Sequence, residues 1–149
     1  MAREGQSLIA ALALILALAP GSRAEGPAPT LADLLTGNTV SAVLFVPHEA
    51  PKGGGSLNRI MFQAFLQPGG TALIRRWDPA HDAYTPTAQR RWSVSGANLC
   101  LDFPDMGESP LCIEIHAWGP RIAGNTTGTG RFAMLDGDIA PGNILVAAN

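Results

Sequence analysis

Beyond residue 38 the chain alternates short apolar runs with glycine, proline and polar clusters. The run TVSAVLFV (39–46) is rich in β-branched residues. RIMFQAFL (59–66) and TALIRRW (71–77) flank QPGG, a turn signal. QRRWSVS (89–95), NLCLDF (98–103), LCIEIHAW (111–118), RIAGN (121–125), GRFAML (130–135) and NILVA (143–147) follow, with DGDIAPG read as the link between the last two. PHEAPKGGGS (47–56) and DPAHDAYTPTA (78–88) read as loops. About nine short strands at close spacing, with no second helical pattern, predict an all-β fold. The expected architecture is a small antiparallel barrel or sandwich of eight or nine strands.

One helix is predicted ahead of the strands. In TLADLLTGN, Thr30 suits an N-cap with Asp33 three residues on. Leu31, Leu34 and Leu35 make an apolar stripe, and Gly37 ends it.

Alternation also predicts a register for the segment holding both cysteines. Treating PDMGESP (104–110) as a hairpin loop, Leu101 faces Leu111, Leu99 faces Ile113 and Ala97 faces Ile115. That places every apolar pair on one side. The same register sets Cys100 opposite Cys112 and Asn98 opposite Glu114. A slip by one residue would turn the leucines and isoleucines to the wrong face. Opposed residues in an antiparallel ladder have Cα atoms about 4.5–5.5 Å apart, within disulfide reach. A Cys100–Cys112 disulfide is therefore expected. Two thiols and scattered histidines lack the ligand spacing of a zinc site, and no partner base adjoins either sulfur in this register.

Residues 8–19, LIAALALILALA, are apolar without a break, yet too short to span a bilayer as a helix. Arg3 precedes them. Pro20 and Gly21 follow, then Ser22 and Ala24, small residues that suit signal peptidase. A signal peptide over 1–24 and one β domain over 25–149 are expected. Removing 24 of 149 residues leaves 125, enough for a real core. Without Arg3, Arg23 and Glu4, 8 basic and 11 acidic residues remain, a net charge of −3. That balance gives no support to nucleic-acid binding, and nothing predicts a stable membrane anchor. A periplasmic or secreted location is expected.

The ordered pieces LLTGNTV (34–40), PGGTA (68–72), WSVSG (92–96), LC (99–100), Cys112 and PGN (141–143) resemble a family of small secreted alphaproteobacterial proteins of uncharacterised function. The resemblance spans nearly all of the mature chain. It departs in having RRW where G-x-W is common, and a longer loop after Val46. It implies a secreted β fold with a paired cysteine, and no catalytic residue.

Chemistry-bearing motifs are sparse. There is no G-x-S-x-G elbow, no phosphate loop and no complete calcium loop; DGD (136–138) reads as a turn. Asp78, His81 and Asp82 are the nearest approach to a polar constellation. No cofactor, metal site or catalytic set is predicted. Trp77, Trp92, Trp118 and Arg75 are the candidate lining of a ligand pocket. Alternation puts Arg75 and Trp77 on one face and Arg76 on the other. The functional expectation is a non-enzymatic binding module for a small ligand or a protein partner. The alternatives are an inhibitor of a secreted or periplasmic protease, with residues 25–30 as the inserting piece, and an enzyme with an unrecognised site.

Overall fold

A computed structural model describes residues 26–49, 55–103, 110–127 and 132–147. The expected signal peptide, the tips of the 47–56 and 104–110 loops, Gly130 and Arg131 lie outside these residues.

The chain enters through helix α1 (Leu31–Leu35). Thr30 and Asp33 form a reciprocal cap: the Asp33 amide donates to the Thr30 hydroxyl, and the Thr30 amide and hydroxyl both donate to the Asp33 carboxylate. Gly37 has φ +76°, and its amide donates to the Leu66 carbonyl at 2.7 Å, which steers the chain into the first strand.

Among the described residues nine strands follow: β1 (Asn38–Glu49), β2 (Gly55–Leu66), β3 (Thr71–Asp78), β4 (Ala83–Tyr84), β5 (Ala88–Ser95), β6 (Asn98–Leu101), β7 (Leu111–Trp118), β8 (Arg121–Thr126) and β9 (Met134–Pro141). Every pairing is antiparallel, and each strand pairs with its chain neighbour except that β3 pairs with both β4 and β5. β9 returns to β1, with Val40 opposite Ile139 and Leu44 opposite Leu135. Eight strands thus close an up-and-down barrel, and the short β4 extends β3 at its rim.

The 2-residue period of the strands sorts side chains between the two faces of the wall. Val40, Ala42, Leu44 and Val46 point in from β1; Phe62, Ala64 and Leu66 from β2; Leu99 and Leu101 from β6; Leu111, Ile113 and Ile115 from β7. All are buried and belong to one cluster with Leu35 of α1. Thr39 is a buried polar residue of β1. Its hydroxyl donates to the Gly142 carbonyl at 2.6 Å and accepts from the Ile144 amide at 3.3 Å, so the chain's end is tied to the start of the barrel.

The end of the chain differs from the sequence expectation. DGDIAPG is not a link but most of β9, while residues 144–147 form a 3-10 helix, not a strand. Asp136 and Asp138 alternate outward with Leu135, Gly137 and Ile139 inward. The acidic outer face hides a strand whose inner face is Leu-Gly-Ile. β4 likewise falls inside the stretch read as a loop.

Candidate functional site

The cysteine register is the one that alternation predicts: Asn98 faces Glu114, Leu99 faces Ile113, Cys100 faces Cys112 and Leu101 faces Leu111. Cys100 and Cys112 are joined as a disulfide, with Cα atoms 4.0 Å apart. The Ile115 amide donates to the Ala97 carbonyl at 2.8 Å. Counting two residues at a time from that bonded pair puts the cysteines at a non-hydrogen-bonded position, where the two strands come closest. The crosslink lies on the outer wall, half-buried, behind the buried leucines and isoleucines.

The four expected pocket residues are distributed over the molecule. Arg75 and Trp77 come together on the outer face of β3, around a residue that the sequence reading did not single out. The Arg75 guanidinium lies 4.7 Å from the Tyr84 ring centroid, and Trp77 meets the same ring edge-on at 5.2 Å. Pairing of Trp77 with Tyr84 across the β3–β4 hairpin creates this cluster. Arg75 Nε also donates to Gln63 Oε1 at 2.9 Å, and Gln63 Nε2 donates to Ser41 Oγ at 3.2 Å. The arginine therefore stands outside the barrel interior and is held by neutral partners.

Trp92 points inward and is buried; its indole N–H donates to the Gln67 carbonyl at 2.9 Å. It fills the core beside the QPGG turn. The β5 backbone at this position also borders a concavity of about 540 Å³ on the outer wall, shared with Gly70, Arg91 and Cys100. Trp118, at the end of β7, is 54 % exposed.

Trp118 lines a mainly apolar concavity. A groove of about 710 Å³ runs over the outer wall where β1, β9, β8 and β7 lie side by side. Phe45, Ala123, Met134 and Trp118 line it, with Phe132 at its margin. Phe132 and Met134 are 48 % and 38 % exposed, which is unusual for side chains of this size grouped together. The strand registers explain the grouping. Phe45 pairs with Met134, Met134 with Asn125, and Asp136 with Ala123, so the outward positions of four strands fall into adjoining rows. The small outward side chain at Ala123, paired with Asp136 of β9 and His116 of β7, leaves the depression between the aromatic walls.

Charge frames one side of this groove. Arg121 donates to Asp136 at 2.9 Å and reaches Asp138 at 3.5 Å. All three are about half exposed, so these ion pairs are screened and contribute little to stability. At the opposite margin the Arg59 guanidinium sits 5.8 Å from the Phe45 ring centroid.

Asp78, His81 and Asp82 form a turn. His81 Nδ1 lies 2.7 Å from Asp78 Oδ2, and the Ala80 amide donates to Asp78 Oδ1 at 3.0 Å. The His81 hydrogen bond, then the Ala80 amide, hold the Asp78 carboxyl below its ordinary range. These bonds close the β3–β4 connection locally. Among the described residues no group of three or more His, Cys, Asp or Glu is gathered to hold a metal ion. No described helix is long and apolar enough to cross a membrane.

Comparison with protein-family models, with curated proteins and with solved structures finds no match.

Proposed function

We propose that residues 25–149 form an exported, non-enzymatic binding module that works through the outer wall of its barrel. One observation carries this reading: the two faces of the wall are used differently. The inward positions are occupied by buried side chains such as Leu44, Phe62, Leu66, Trp92 and Ile122. A small barrel that stores a ligand needs an open interior, so binding is assigned to the outside, where Phe45, Trp118, Phe132 and Met134 form an apolar groove. The Cys100–Cys112 disulfide fits an oxidising compartment, periplasmic or extracellular, and the apolar leader supplies the route there. Membership in the small secreted alphaproteobacterial family is part of the same proposal.

The test is site-specific photocrosslinking in the exporting cell. A photoreactive residue at Ala123, in the groove, should give a discrete adduct. The same residue at Ser93, on the β5 outer wall, should give none. Absence of an adduct from both positions overturns the binding reading.

A second reading rests on its own observation. Residues 26–30 are exposed and outside any helix or strand, Thr30 is extended, and the Thr30–Asp33 cap fixes where they leave the body. An exposed, irregular segment on a compact support suits the cleft of a secreted or periplasmic protease, which would make the domain an inhibitor. Proteolysis by the secreted proteases of the source organism is measured with the domain and with a form lacking residues 25–30. Equal proteolysis in the two cases removes this alternative.

A further inference from the structure

We infer that the Phe45–Trp118 groove docks an extended apolar segment of a protein partner that carries a lysine or arginine. This rests on the binding reading above and names the class of partner. The floor and walls, from Phe45 and Met134 across Ala123 to Trp118 and Phe132, call for large apolar side chains. Aromatic residues of this kind supply most of the affinity where they anchor a partner.

The charges choose among apolar occupants. Asp136 borders the groove, and Asp138 lies two residues along the same face of β9. Both are served by Arg121, at 2.9 and 3.5 Å. Among the described residues, with His116 of β7 also lining the groove, two carboxylates stand against one guanidinium on that side and leave a surplus of negative charge. A cationic side chain at one end of the docked segment meets this surplus, and it points away from Arg59, the cation at the Phe45 margin. A second copy of the chain fits poorly, since two such faces would set the acidic margins of both copies into one interface. An anionic bilayer fits poorly for the same reason. Opposite-charge matching at a rim gives orientation and selectivity more than affinity.

The experiment uses the purified, oxidised domain of residues 25–149. A phage-displayed library of random peptides is panned on it, and the enriched peptides are synthesised and titrated by fluorescence polarisation. The expected peptides hold at least two large apolar residues and a lysine or arginine. Trp118→Ala should weaken them about tenfold. The double variant Asp136→Asn/Asp138→Asn should weaken them roughly threefold and flatten their salt dependence. Ser93→Arg, on the β5 wall, should leave affinity unchanged. Far-ultraviolet circular dichroism of each variant confirms that the barrel persists.

Failure to enrich peptides overturns the inference, as do peptides indifferent to Trp118→Ala or peptides that bind without a basic residue. A dimer in sedimentation that Trp118→Arg dissociates would give the face to a second copy. Flotation with phosphatidylglycerol vesicles, lost in Trp118→Ala, would give it to lipid. If a discrete crosslink forms at Ala123 in cells while the peptides lack a basic residue, the binding reading stands and the partner class fails.

Discussion

At the scale of the residue, two positions are fixed by what surrounds them. Gly137 is an inward position of β9 where a Cβ would lie 2.5 Å from the Ala42 Cβ and the Ser41 carbonyl oxygen. Neither neighbour is a flexible tip, so the strands must separate to admit a side chain. Gly137→Val should therefore destabilise the fold by roughly 1–3 kcal/mol, the usual range for overpacking. Thermal unfolding followed by circular dichroism measures it, and an unchanged midpoint would contradict the close approach. Asp33 is the second position. Hydrogen bonds from the Thr30 hydroxyl, then from the Thr30 amide, lower its pKa from the ordinary 3.8. A carboxyl whose folded pKa is depressed contributes stability above its unfolded value, and loses it as pH falls through the folded one. The cap thus contributes above about pH 3.8 and fades below it. Asp33→Asn should make the fall of the melting temperature on acidification shallower in that window; an identical acid limb would remove Asp33 from the account. Asp78 is depressed too, so part of the limb should remain.

At the scale of the element, the β6–β7 hairpin was legible because two independent patterns select one register. The apolar alternation of Leu99, Leu101, Ile113 and Ile115 and the pairing of the cysteines each require the same partners. The disulfide therefore joins residues that the ladder already brings together. Closing a loop of this length stabilises by roughly 3 kcal/mol in the chain-entropy model. Cys100→Ser/Cys112→Ser should lose about that much and still form the barrel, because the buried face of the hairpin is untouched. Chemical denaturation gives the stability, and the far-ultraviolet spectrum gives the fold. A variant without β structure would show the crosslink to be essential to pairing. β9 was illegible for the opposite reason. Aspartates at 136 and 138, a central glycine and a proline at 141 carry turn chemistry, and only the partner strands β1 and β8 turn Leu135 and Ile139 into a core face. Residues 143–147 have the apolar content of a strand, yet Ile144–Ala147 form a 3-10 helix anchored by the Thr39 hydroxyl, about a hundred positions earlier in the chain.

At the scale of the molecule, the same contrast between local and distant information decides what the sequence could reveal. Hairpins are local, and turns such as QPGG announce them. Ring closure is not, since β1 and β9 meet only after the intervening strands have been laid down. The groove is a product of that closure: Phe45 comes from β1, Met134 from β9 and Trp118 from β7, and no window of the sequence contains all three. The three tryptophans stand out as large indoles that end or interrupt strands, and alternation adds Arg75 to the face of Trp77; neither signal gives a position around the ring. That is why Arg75 and Trp77 share a cluster while Trp118 stands on the wall carrying the groove. Closure also makes the β1–β9 seam a point where packing and topology coincide. Leu44 is fully buried and pairs with Leu135 across it. Leu44→Ala removes core volume and weakens the seam together, so a loss of about 2–5 kcal/mol is expected. Because one core spans the ring, unfolding should remain a single transition, with tryptophan fluorescence and circular dichroism coincident. If instead the seam is a separable latch, the two probes will part, because circular dichroism will still report the remaining strands when tryptophan fluorescence has begun to change. A split transition in Leu44→Ala would overturn the one-core description, while coincident curves with the stated loss would support it.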